Sequence, residues 1–202
     1  MSESRTSGLS QIGRSVPRVE GRAKVTGTVE YIHNLRLPGM LHAKVFRSVV
    51  PHGRIVSIDT SAAVAMPGVY GVYTGEDIRT VIPEPYFGPA FHDQPILALD
   101  KVRYAGEPVA AVLAADPHTA EAAAQAIVAT YDELPAVYDE VEAVTSEAIV
   151  HDELKPAGTF ADLKHLAGRT QTNVALDFHL RHGETEAAFA EAEHVFEHTF
   201  ST

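Results

Sequence analysis

With 202 residues, 45% of them hydrophobic, the chain can build one good-sized domain, or one domain and part of another. A formal charge of −11 argues against nucleic acid and anionic membrane surfaces as partners. The lack of cysteine excludes disulfides, thiolate zinc sites, cysteine nucleophiles and iron–sulfur ligation within these residues.

Residues 1–15 are rich in Ser and Gly and read as a disordered arm. Met1 to Arg18 has no apolar signal core, and no segment approaches a membrane span, so the expected compartment is the cytoplasm. Leu41 to Arg47 and Arg54 to Asp59 largely alternate apolar with polar, which predicts strands with one buried face. A short helix is expected at Ser61–Ala65, stopped by Met66-Pro67-Gly68, with a Val- and Tyr-rich strand following at Val69–Thr74. Thr80 to Pro95 carries four prolines and reads as a long loop. Lys101–Tyr104 and Pro108–Ala115 read as strands joined at Ala105-Gly106-Glu107. The second is apolar throughout, as a strand buried on both faces would be.

Asp116-Pro117 supplies an N-cap and a first-turn proline, opening the clearest helix. Ala120, Ala123, Ala124 and Ile127 give it a small-residue docking face. Strand character returns at Ile127–Tyr131. Beyond the polar stretch Lys155–Thr172, a strand is expected at Val174–Leu180, a helix from Gly183-Glu184, and a strand-like run from His194 onward. Glu184 and Glu186 suit that helix's positive end. The sequence stops at Thr202 inside a β-type pattern, which suggests a truncated or split polypeptide.

His194-x-x-Glu197-His198 has the spacing of an inverted zinc-peptidase motif, which needs a helix to bring both imidazoles to one metal. Here His194, Phe196, His198 and Phe200 share one face of an extended run, and positions four apart on a strand lie roughly 13 Å from one another. His151-Asp152-Glu153 and His92-Asp93 sit beside loops and read as solvated turns, not acid–base or metal pairs. Glu76, Asp77, Glu107, Asp132 and Glu133 are likewise expected at solvated turns. No dinucleotide fingerprint, P-loop or nucleophile elbow is present. These residues thus predict no catalytic, cofactor-binding or metal site of their own.

Val16-Pro17-Arg18-Val19-Glu20, Lys24-Val25-Thr26-Gly27 and Glu30-Tyr31 resemble the opening of the molybdenum-binding (large) subunit of the xanthine dehydrogenase and aldehyde oxidase family. The likeness continues through Leu37-Pro38-Gly39-Met40-Leu41-His42, Arg47-Ser48, His52-Gly53-Arg54-Ile55 and Ile58-Asp59. It resumes at Met66-Pro67-Gly68-Val69, Thr74-Gly75-Glu76-Asp77-Ile78 and Gln94-Pro95-Ile96-Leu97-Ala98, then at Val102 to Ala110 and Leu134-Pro135-Ala136-Val137. His33-Asn34 departs from the acidic residues many relatives carry after the tyrosine.

The resemblance implies an α+β fold: an α/β-hammerhead domain with a mixed sheet and packing helices over residues 16–154. A linker would follow over 155–172, then the start of a molybdopterin-binding domain over 173–202. It further implies that this chain alone binds no cofactor. Molybdopterin would belong to the remaining molybdopterin-binding chain or domain, and [2Fe-2S] clusters and FAD to iron–sulfur and flavin subunits or domains. The complete enzyme would oxidise an aldehyde or N-heteroaromatic C–H with water-derived oxygen. The rival reading is a non-catalytic structural or binding module built on the same fold.

Overall fold

The computed structural model describes residues 13–158, 160–177, 180 and 182–200. Most of the expected arm, residues 1–12, lies outside them. The chain divides into two compact units, one ending at Leu41 and the other beginning at His42.

The first unit holds a five-residue helix, α1 (Gly21–Val25), and a 3-10 turn at Ile32–Asn34. Lys24 pairs with Glu20 at 3.4 Å across α1, and the Thr26 hydroxyl closes the helix by donating to the Arg22 carbonyl at 2.8 Å.

Among its described residues the second unit contains eight strands in chain order: β1 (His42–Arg47), β2 (Gly53–Asp59), β3 (Val69–Thr74), β4 (Tyr86–Phe87), β5 (Gln94–Pro95), β6 (Lys101–Val102), β7 (Pro108–Ala114) and β8 (Val128–Glu133). Its helices are α2 (Ser61–Val64), α3 (Gly75–Val81), α4 (Pro117–Gln125), α5 (Glu140–Ala143) and α6 (Thr185–Glu191), with a 3-10 segment at Ala161–Leu166. The strands form sheets ordered β1-β7-β3 and β6-β2-β8, and a two-stranded β4–β5 ladder. The α+β class is as expected. The sheet expected to be mixed is resolved into these units, antiparallel in every described pairing.

β7 is central and carries the core. Ala110, Val112 and Ala114 are buried on one face, where Ala110 and Val112 pack with Ala63 of α2 and Ala123 and Ala124 of α4. Alanine suits that face because a helix can approach a strand closely only over small side chains. Val109 joins Ala98 and Val102 in a second cluster against Ile55 and Tyr131. The run without polar residues thus reflects burial from both sides of an antiparallel centre strand, not parallel pairing.

Local signals mark the helix ends. The Asp116 carboxylate accepts from the backbone N–H groups of His118 and Thr119, with Pro117 in the first turn. Gly68 sits at φ +87°, a conformation open to glycine, and ends the α2 turn as expected. α3 lies partly in the proline-rich segment read as loop. Its capping box, in which Asp77 accepts from both the N–H and the hydroxyl of Thr74, was legible as T-x-x-D.

Three strand expectations are corrected. Lys101–Tyr104 pairs only over Lys101–Val102. Val174–Leu180 forms no strand among its described residues, Phe178 and His179 lying outside them, and the run from His194 joins no ladder through Phe200. A period of two licenses a strand, but a strand also needs a partner edge to satisfy its backbone.

Candidate functional site

The most polar interior of the second unit is the turn between β6 and β7. Glu107 is only 2% exposed although it follows a turn glycine, which corrects the expectation of a solvated carboxylate. Its carboxylate accepts from the Arg103 backbone N–H and from Arg103 Nη1 at 3.4 Å. Arg103, 14% exposed, also donates to the Lys101 carbonyl at 3.2 Å. Backbone bonds lock this turn to the β1–β2 connection: Ser48 N–H donates to Glu107 O at 2.9 Å and Gly106 N–H to Ser48 O at 2.7 Å. Burial pushes the Glu107 carboxyl up from its ordinary range, overriding the opposing bonds and charge of Arg103.

Two loops read as separate solvated turns converge on this turn. Asp93 and His151 line a cleft of about 340 Å³ with Arg103, Glu107, Phe87 and Tyr104. In an adjoining recess that shares Asp93, Arg103 and His151, Lys101, 4% exposed, reaches Asp152 at 3.0 Å. Burial raises the Asp152 carboxyl, but the bond and charge of Lys101 outweigh it and leave the group below its ordinary value. The loops are joined by His92 N–H donating to Lys155 O at 2.7 Å and by the Phe91–Pro156 bridge. Lys155 lies 4.8 Å from the centre of the Tyr86 ring.

His151 is pushed below the usual imidazole range, by burial first and then by the charges of Arg103 and Lys101, with Asp93 and Asp152 acting the other way. Because the folded-state value is depressed, its contribution to stability is full above the unfolded value of about 6.5 and is lost as pH falls through the folded value. His151→Gln should therefore flatten the loss of stability below pH ~6.5. Urea midpoints measured on both sides of that pH test this; an unchanged slope in the variant would refute it.

The remaining sequence candidates stay apart. His194, Glu197 and His198 lie beyond the end of α6 at Glu191. The His194 and His198 rings sit 6.4 and 6.2 Å from Phe196 and Phe200, an i,i+2 pattern of extended chain and not the helical turn the zinc motif requires. Asp77 serves as the α3 cap. Among the described residues no three His, Cys, Asp or Glu side chains converge as metal ligands. Two of the cations here are committed within the chain, Arg103 to Glu107 and Lys101 to Asp152. Chemically the arrangement is a clamp: the buried Arg103–Glu107 pair fixes the β6–β7 turn from within, and buried Lys101 ties the loop at His151 to β6 through the exposed Asp152 carboxylate. Sequence reading placed Glu107 at a solvated turn and did not single out Lys101, whose partner Asp152 lies 51 positions away and leaves no periodic signal.

Residues 26–135 match the family described as aldehyde oxidase and xanthine dehydrogenase, a/b hammerhead domain. Over 200 residues the chain is 38% identical to the 6-hydroxypseudooxynicotine dehydrogenase complex subunit gamma of Paenarthrobacter nicotinovorans, covering 95% of this chain and 23% of that one. It is 33% identical to the nicotinate dehydrogenase large molybdopterin subunit of Eubacterium barkeri, covering 95% of this chain and 40% of the relative. Among solved structures it resembles quinoline 2-oxidoreductase from Pseudomonas putida 86, with 41% identity and a TM-score of 0.57 over 65% of this chain and 17% of that one. It also resembles the CO dehydrogenase of Oligotropha carboxidovorans, with 31% identity and a TM-score of 0.64 over 79% of this chain and 20% of the other. The chain thus spans less than half the length of these relatives.

Proposed function

The chain belongs to the aldehyde oxidase and xanthine dehydrogenase family, and on that premise we propose that it is the amino-terminal scaffold portion of a molybdenum hydroxylase. The observation that carries the reading is sequence identity running along 95% of the chain with a subunit of a dehydrogenase complex and with a large molybdopterin subunit. Residues 16–154 are assigned to the hammerhead domain, 155–172 to a connector and 173–202 to the opening of the molybdopterin-binding domain. The connector is tied back to the residue before it: Leu154 N–H donates to Arg169 O at 2.8 Å, Gly168 N–H donates to Leu154 O at 3.0 Å, and Leu166 is buried.

The complete enzyme would replace an aldehyde or N-heteroaromatic C–H by C–OH with oxygen from water. Two electrons would pass to iron–sulfur centres and flavin on other domains or subunits, and two protons would be released. The clamp does not fit the molybdenum–pterin group, because its two buried cations are already paired, Arg103 with Glu107 and Lys101 with the exposed Asp152. We therefore assign that group to the remaining molybdopterin-binding portion and route no step through these residues. Their role is to shape and dock. A cytoplasmic setting suits this reading, and no described helix is long and apolar enough to cross a membrane.

Co-expression with the products of the neighbouring genes tests the proposal. The expected result is a complex containing this chain, a molybdopterin-binding chain, and stoichiometric molybdenum and pterin. A cognate chain that is folded and loaded yet does not co-purify would refute it.

A further inference from the structure

We propose that the cleft between the β4–β5 ladder and the β6–β7 turn is a binding site for a small organic cation, a protonated amine carried on an aromatic or other apolar ring. Every lining residue belongs to the second unit, and the site does not depend on the function proposed above. At about 340 Å³ the cleft lies near the lower end of the range of small-molecule sites, about 300–1,000 Å³, which suits one ring and a short arm.

Its walls and its unpaired charge call for different parts of such a ligand. Phe87, Ile96 and Tyr104 line the cleft and are 53%, 40% and 55% exposed, so they still have apolar area for a ring to cover. Asp93 lines it too, half-buried, with no hydrogen bond or ion pair among the described residues. A carboxylate partly withdrawn from water without a partner is costly, so the site is short of a cation or a strong donor.

Neighbouring groups do not fill that need. Arg103 is committed to Glu107 and Lys101 to Asp152. His151 is disfavoured as an imidazolium by burial and by the charges of Arg103 and Lys101, so at neutral pH it shares the cleft with Asp93 as an uncharged ring.

Asp93 is also held where it stands. The His92 N–H beside it donates to Lys155 O at 2.7 Å, and on its other side Gln94 pairs with Phe87 across the β4–β5 ladder. Gly88 closes the hairpin at φ +144°, where a Cβ would overlap the Phe91 carbonyl oxygen and stand 3.4 Å from Asp93 Oδ1. A carboxylate fixed in this way takes a ligand with less ordering cost than a mobile one.

Other ligands fit less well. An anion would meet the Asp93 carboxylate while Arg103 and Lys101 are already paired. A neutral ring would cover the walls and leave the carboxylate unmatched. A metal ion lacks ligands, since no three suitable side chains converge among the described residues. A protonated amine satisfies Asp93 through a charge-assisted hydrogen bond and can rest on the ring of Tyr104 or Phe87.

The test titrates the full chain with phenethylamine, phenethyl alcohol and phenylacetate, followed by NMR chemical shifts. The amine should bind at least about tenfold more tightly than the alcohol, the worth of one hydrogen bond to a charged group, and phenylacetate should bind least. In Asp93→Asn the amine should fall to within about twofold of the alcohol, because the charge that separates them is gone. That variant should keep the wild-type urea midpoint, since it removes no described hydrogen bond or ion pair. Equal binding of amine and alcohol by the wild type, tighter binding of phenylacetate, or no binding of any probe would overturn the site without recourse to a variant. A preference for the amine that survives Asp93→Asn would overturn it as well. None of these outcomes bears on the co-purification experiment above, so the two readings fail separately.

Discussion

Replacing Glu107 by alanine is expected to lower the unfolding free energy by about 3–5 kcal/mol, the range for removing one partner of a buried ion pair. The cost arises less from the lost attraction than from what is left behind. The Arg103 guanidinium, largely withdrawn from water, loses its counter-charge, and the Arg103 backbone N–H loses its acceptor. Arg103 Nε is already buried without a partner, so the site has no spare acceptor to absorb the change. The double variant R103M/E107A separates the two losses. Removing the cation as well should recover the charge penalty and leave the orphaned N–H, worth about 1–3 kcal/mol. Urea unfolding of wild type, both single variants and the double variant forms the cycle; additive effects would show that the pair is not coupled.

The same carboxyl gives a pH signature. Its folded-state value is raised, so the stability gained from its protonation is full below the unfolded value of about 4.5 and is lost as pH rises through the raised value. Glu107→Gln should remove that component without removing the acceptor for the Arg103 N–H.

Gly75→Ala should destabilise by about 1–3 kcal/mol, the range for overpacking a filled interior. The direction is the informative part. Gly75 opens α3 with ordinary backbone angles, where alanine would normally improve a helix by about 0.5–1 kcal/mol. A Cβ there would overlap the Ala98 carbonyl and crowd the Leu99 side chain. The Ala98 backbone cannot yield easily, because its N–H donates to the Pro108 carbonyl at 2.7 Å and its side chain lies in the core with Val102 and Val109. Thermal unfolding of the variant decides between the two effects; an unchanged or raised midpoint would show that the β5–β6 connection moves aside.

These residues also show why some features were legible and others were not. The Asp116 cap, Pro117 and the Ala120, Ala123, Ala124 face identified α4 and its buried side from spacing alone, because a helix satisfies its own backbone. The β7 strand was equally plain, as an apolar run following the Gly106 turn. By contrast, Val174–Leu180 and the residues after His194 have strand-like patterns but pair with no edge among the described residues, since a strand's hydrogen bonds belong to its neighbour. The α3 helix was obscured by the prolines that follow it, although its capping box stood in the sequence.

Glu107 is the sharper case. Placed between Gly106 and Pro108, it has the local chemistry of an exposed turn, and nothing adjacent marks it as interior. It is buried because the β1–β2 connection, the loop at Asp93 and the loop at His151 close over it from about 15 to 60 positions away in the chain. By itself the sequence determined the α+β class, the main helix, the central strand and the family, since periodicity, caps and ordered motifs are properties of neighbouring residues. Only the tertiary structure decided which charges leave water and meet one another, since burial depends on what the rest of the chain brings to the same place.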